Sequence, residues 1–152
     1  MVSNVNKSQH PNGSSWGHWL RSFWAFSRPH TIVGTTLSIG ALGVMALVLA
    51  DLGTSAQILP LMGAMLAALV PSLCANVYIV GLNQLTDIAI DRINKPHLPL
   101  ASGAFSLTMG RWIVWVLGGL ALLLSAVQGP VLLTTVALSM AIGTVYSLPP
   151  LR

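Results

Sequence analysis

The sequence predicts an all-α integral membrane protein, with about four spanning helices behind an N-terminal interfacial helix. Three observations predict it. Of the 152 residues, 54% are hydrophobic and only 7% carry charge, against about 25% charged in an average soluble domain. The mean hydropathy is +0.76. Four apolar runs, at 31–50, 59–82, 112–127 and 130–148, approach the ~20 residues that a spanning helix needs.

Composition also excludes some functions. Seven Lys and Arg against three acidic residues give a net charge of +4. No clustered basic face on a soluble module accompanies that charge, so no nucleic-acid partner is indicated. Cys74 is the single cysteine and lies inside an apolar run, which leaves no disulfide framework and no CxxC metal pair.

The elements follow in order. Residues 1–15 are polar, rich in Ser and Asn, and read as a flexible tail without the apolar middle of a signal peptide. Within 16–27, Trp16, Trp19, Leu20, Phe23 and Trp24 recur at helical spacing. An aromatic face of this kind suits an amphipathic helix in the membrane interface, and Pro29 would interrupt a helix continuing into the first span. Residues 28–152 then hold the four spans. The first two have spanning length. The third is short unless Arg111, Trp112 and Trp115 anchor its end at the interface. The tight "QGP" link joins the third span to the fourth.

Four spans place all seven cations on one side and Asp51 on the other. Cationic loops stay cytoplasmic, so both termini and the 83–111 loop are expected inside, in a plasma or photosynthetic membrane. Gly40, Gly43 and Gly63 are expected at close helix contacts.

The chemistry-bearing stretch is "NQLTDIAIDRINKP", residues 83–96. Two of the chain's three acidic residues stand here, and Asn83, Asp87 and Asp91 step by four. On a helix they form a slanting stripe. Carboxylates at i and i+4 repel, and more strongly beside lipid. A cation between them relieves this. Mg²⁺ fits, since it takes oxygen ligands from one or two carboxylates plus substrate phosphates. Arg92 and Lys95 follow at once, placed either to contact phosphate oxygens or to pair with Asp87 and Asp91 where a helix runs into a solvated loop.

"VGLNQLTDIAIDRINKPHLPLASG", residues 80–103, resembles the first aspartate-rich motif of the UbiA-type membrane prenyltransferases, N-x-x-x-D-x-x-x-D. "NKPHLPLASG" is similar to the homogentisate prenyltransferase branch, and "FSRPHTIVGTTLS" (26–38) and "YSLPPLR" (146–152) resemble its homogentisate phytyltransferases. The resemblance covers about residues 20–152. It implies a helical membrane enzyme that uses Mg²⁺ to transfer a prenyl (phytyl) group from its diphosphate to homogentisate, in tocopherol and prenylquinone synthesis, with loss of CO₂.

The resemblance also assigns residues. Asn83, Asp87 and Asp91 would form the metal–diphosphate site, with Asp87 and Asp91 essential to catalysis. Arg92 and Lys95 would hold phosphate oxygens. Arg28 is either a phosphate contact or an interfacial anchor. Tyr78 either faces the developing cation or packs, and His30 either approaches the acceptor carboxylate or sits at the interface. The "LPLASG" loop is expected to cap the site.

The family has about nine spanning helices and a second aspartate-rich motif, and these 152 residues hold neither. The chain therefore reads as the N-terminal half of a larger helical bundle, with a C-terminal half as its missing partner. The alternatives are a non-catalytic membrane remnant or assembly partner, and a related aromatic prenyltransferase with another acceptor. A transporter would want ionisable residues in mid-membrane, and the four runs hold none.

Overall fold

The structure, a computed structural model, describes residues 15–148. Most of the expected tail, with Lys7 and Arg152, lies outside the described residues. Seven helices follow one another among those described: α1 (Ser15–Phe26), α2 (Pro29–Leu49), α3 (Ser55–Thr86), α4 (Ile88–Asn94), α5 (Pro99–Ser102), α6 (Leu107–Gln128) and α7 (Pro130–Ser147). Helices α2, α3, α6 and α7 are long and apolar enough to cross a membrane. Their outer faces, such as Val33, Leu37 and Val48 on α2 and Leu123 and Val127 on α6, are exposed apolar surface. That surface suits an integral membrane protein, in which lipid replaces water as the solvent.

Local chemistry explains the boundaries. Pro29 occupies the first turn of α2, where its missing N–H costs nothing. The residue before a proline is barred from right-handed helix, and Arg28 takes a left-handed conformation at φ 51°. The chain turns a corner there, so α1 and α2 are separate helices. Helix α6 begins at the Ser106 N-cap, whose Oγ accepts from the Met109 N–H at 3.1 Å. It therefore starts five residues before the apolar run at 112 and has full spanning length. Helix α3 exceeds the expected 59–82 run at both ends. Its 32 residues rise about 48 Å, well beyond the ~30 Å hydrocarbon core, and carry Asn83 out on the same helix.

Every other spanning helix packs on α3. Contacts pair residues 26–31, 76–86, 100–114 and 143–147 at one end of the bundle, and 43, 65–67 and 124–132 at the other. Arg21, Arg28, Arg92, Lys95 and Arg111 belong to the first end, and Asp51 to the second. Phe26, Val77, Leu100, Phe105 and Val114 form the core at the charged end, while Ala75, Ala121, Val136 and Met140 form one deeper in.

The glycine expectations hold only in part. A Cβ on Gly43 would run into Met65, but Gly40 and Gly63 face open space. The close seats are elsewhere. Gly81 receives the Phe26 ring, Gly118 the Tyr78 ring and Gly143 the Ile79 side chain. The aromatic stripe of α1 is divided as well. Trp19, Phe23 and Phe26 turn to the core, while Trp16, Leu20 and Trp24 stay exposed.

Pro71 sits inside α3 and cannot donate to the carbonyl of Ala67, one helical step of four before it. The Gln128 amide fills that gap, with Nε2 donating to the Ala67 carbonyl at 3.0 Å. Replacing Gln128 by Leu should therefore cost about 1 kcal/mol, the size of an interhelical hydrogen bond in lipid. The same change should cost much less in a Pro71→Ala background, where the helix bonds its own carbonyl. Thermal unfolding of the four variants of this cycle in detergent checks the coupling.

Candidate functional site

The acidic stretch lies where α3 ends. Asp87 leaves helical geometry, with φ −102° and ψ 12°, and caps both α3 and α4. The hydrogen-bond ladder nevertheless runs through the break. Asp87 N donates to the Asn83 carbonyl at 3.0 Å, Asp91 N to that of Asp87 at 2.8 Å, and Lys95 N to that of Asp91 at 2.7 Å. The stripe read from spacing four therefore exists along the backbone, but across a bend rather than on one straight helix.

The three side chains differ in setting. Asn83 and Asp87 are half-buried. The Asn83 amide makes no hydrogen bond among the described residues, which leaves its oxygen available. Asp91 is 3% exposed and pairs with Lys95 Nζ at 3.4 Å. Lys95 thus neutralises a buried carboxylate in this state, as the pairing alternative anticipates. Arg92 is exposed beside it. An amide oxygen and two carboxylates form a hard-oxygen donor set, which fits Mg²⁺.

The structure also brings Arg28 to this end, through a residue on α3. Gln84, next to Asn83, is 1% exposed, and its Nε2 donates to the Phe26 carbonyl at 2.7 Å. That bond seats the Ser27–Arg28 corner against the last turns of α3, so Arg28 belongs to the same end as the acidic residues. Thr31 strengthens the corner, its N–H donating to the Arg28 carbonyl at 2.8 Å. Tyr78 points elsewhere. Five residues from Asn83 is about 140° around a helix. Its hydroxyl bonds Thr144 Oγ1 at 2.9 Å on α7, and its ring lies on Gly118 of α6. His30 and His97 are exposed. The "LPLASG" loop forms α5, with Leu98, Pro99 and Leu100 buried and contacts to α1, α3 and α4.

Below the acidic end, α2, α3 and α7 enclose a groove of about 460 Å³. Its walls include Thr31, Thr35 and Ser38 of α2, Ser72, Asn76 and Ile79 of α3, and Thr135, Val136 and Ser139 of α7. Asn76 precedes Asn83 by seven residues, nearly two turns, so the groove and Asn83 share one face of α3. Asn76 is fully engaged. Oδ1 accepts from Thr31 Oγ1 at 2.8 Å, and Nδ2 donates to Thr35 Oγ1 at 2.8 Å and to the Thr31 carbonyl at 3.2 Å. Ser38, Ser72, Thr135 and Ser139 each donate to a carbonyl of their own helix. Their hydrogens are committed, and only oxygen lone pairs remain for the groove.

Asn76 and Gln84 were not singled out by sequence reasoning. The signal was there, since each is an uncharged amide in or at the edge of an apolar run, at helical register with the motif.

Residues 36–152 match the UbiA prenyltransferase family. The chain belongs to that family. Among relatives of this UbiA-family chain, the homogentisate phytyltransferase of Synechocystis sp. is 50% identical over 88% of the chain and 42% of its own length. The homogentisate geranylgeranyltransferase of Triticum aestivum is 37% identical over 96% of the chain and 37% of its own length. Homogentisate phytyltransferase 1 of Arabidopsis thaliana is 42% identical over 88% of the chain and 34% of its own length. The chain thus spans well under half of the curated relatives it matches. No solved structure matches it.

The Asp91–Lys95 pair makes an asymmetric prediction. Lys95→Met strands a buried carboxylate and should cost about 1–2 kcal/mol, less than for a fully buried pair because Lys95 is half-exposed. Asp91→Asn removes the charge instead and should cost less. Thermal unfolding of both variants in detergent tests the order.

Proposed function

We propose that this chain supplies the first diphosphate half-site and part of the prenyl slot of an aromatic prenyltransferase acting on homogentisate. The observation that carries the reading is the alignment of Asn83, Asp87 and Asp91 on one backbone ladder, which begins one turn of α3 beyond the groove-lining Ile79. The relatives' names supply the substrate class, a phytyl or geranylgeranyl diphosphate with homogentisate as acceptor.

Asn83, Asp87 and Asp91 hold Mg²⁺ in this reading. The ion, when bound, neutralises diphosphate charge and so favours its departure. Arg28 at its corner and Arg92 on α4 present guanidinium donors to phosphate oxygens. Lys95 exchanges its contact with Asp91 for one with phosphate when substrate arrives. The allylic C–O bond breaks and the electron pair leaves with the diphosphate. An acceptor ring carbon then bonds to the prenyl carbon and gives up its proton, and the bond from the acceptor's side-chain carbon to its carboxylate breaks to release CO₂, that carbon taking up one proton. A slot closed off from water keeps the cation intact until the acceptor ring attacks. Tyr78 holds α3 to α7 through Thr144, which positions the wall of the slot.

The same reading sets the membrane frame. Arg21, Arg28, Arg92, Lys95 and Arg111 face the cytoplasmic side, α1 lies in the interface at that side, and residues 28–152 form one half of the enzyme's helical bundle.

The test is a transfer assay in membranes with Mg²⁺, labelled phytyl diphosphate and homogentisate, run with and without a co-expressed C-terminal half of a related enzyme. Prenylated product is expected with the added half. Asp87→Asn and Asp91→Asn should each reduce it by at least about a hundredfold, the order seen when a charge-stabilising group is removed. Activity persisting in both variants would overturn the assignment. No product from an inserted, folded chain in either arm would favour a non-catalytic membrane protein.

A further inference from the structure

We infer that the outer face where α1 meets α6 binds one anionic diacyl phospholipid, with its headgroup at Arg111 and its acyl chains on either side of Trp112. Two grooves share that tryptophan. One, of about 290 Å³, is lined by Thr108, Arg111, Trp112 and Trp115. The other, of about 350 Å³, runs between Trp19 and Phe23 of α1 and Trp112, Ile113 and Val116 of α6, and its lining is wholly apolar. Trp112 is 66% exposed and stands as a ridge between them. The rings of Trp19 and Phe23 stack 5.3 Å apart at 6°, and both line the second groove.

Charge selects the occupant. Arg111 is exposed and has no carboxylate partner among the described residues. Of the chain's three acids, Asp51 belongs to the opposite end, Asp91 is held by Lys95, and Asp87 stands at the α3–α4 joint. Among the described residues, no carboxylate therefore compensates the positive charge on this face. It lies in the second turn of α6 beside two tryptophans, the depth at which aromatic belts meet headgroups. A guanidinium matches phosphate oxygens two at a time. A free phosphate would use the cation and leave the apolar groove empty, and a neutral lipid would use the groove and leave the cation bare. A helix about 10 Å wide does not straddle a projecting indole ridge, whereas two thin acyl chains do.

The site lies outside the diphosphate half-site, so it can be tested without any assay of transfer. Native mass spectrometry of the full 152-residue chain in detergent would compare phosphatidylglycerol with phosphatidylcholine carrying the same acyl chains. The wild-type chain should retain a single phosphatidylglycerol about fivefold more than phosphatidylcholine, the order expected for one cation at an anionic headgroup. Arg111→Gln should bring phosphatidylglycerol down to the phosphatidylcholine level. Val116→Trp, which fills the apolar groove and leaves charge untouched, should lower both lipids together. Millimolar inorganic phosphate should not displace the lipid. Equal retention by the wild type, a preference that survives Arg111→Gln, or displacement by phosphate would overturn the proposal. A dimer that replaces the lipid adducts and is lost in Trp112→Ala would assign the face to a second copy instead. All the substituted side chains are at or near the surface, and unchanged helical circular dichroism confirms that the fold is intact.

Discussion

The bond from Gln84 Nε2 to the Phe26 carbonyl is the constraint around which the charged end is built. α1 ends at Phe26, and Pro29, with Arg28 left-handed before it, prevents the helix from continuing. That carbonyl would otherwise face an apolar core with no donor, a loss of about 1–3 kcal/mol for a buried polar group. Gln84 supplies the donor from the turn of α3 that also carries Asn83. One side chain therefore closes the end of α1 and holds the Ser27–Arg28 corner at the acidic end of α3. The Phe26 ring then settles on Gly81, one turn earlier on α3.

The same logic recurs along the bundle. Helices in lipid gain little from burying one apolar face against another, so close packing at small residues and interhelical hydrogen bonds do more of the work. Asn76 fastens α2, Tyr78 fastens α7 and Gln84 fastens the α1–α2 corner, all from α3. Gln128 reaches back from α6 to the carbonyl that Pro71 leaves open. Glycines at 43, 118 and 143 admit neighbouring side chains at the levels between these bonds. The acidic stretch inherits its position from this scaffold, because it is the continuation of the one helix that touches all the others.

Much of this was legible in the residues. The four apolar runs, the sparse charge and the spacing of Asn83, Asp87 and Asp91 identify spanning helices, a polar end and a family motif, because hydropathy and helical period act locally. The break at Asp87 was not legible, since nothing in "QLTDIAID" distinguishes a bend from a straight helix. Nor was the division of the α1 aromatics into packed and exposed sets, or the open setting of Gly40 and Gly63. Which glycine faces a neighbour depends on the rotation of each helix about its own axis, and a uniformly apolar segment carries little periodic signal of that rotation.

The sequence by itself determined the class of the protein, the number of apolar segments and the chemistry of the motif. Each follows from composition or from residues within a few turns of one another. Only the tertiary structure decided that Tyr78 belongs to α7 rather than to the acidic face, and that Asn76 lines a groove in register with Asn83. Those outcomes depend on partners 41 to 66 positions away. A polar side chain in an apolar bundle takes whichever donor or acceptor the packing brings within 3 Å or so, and local sequence does not name it.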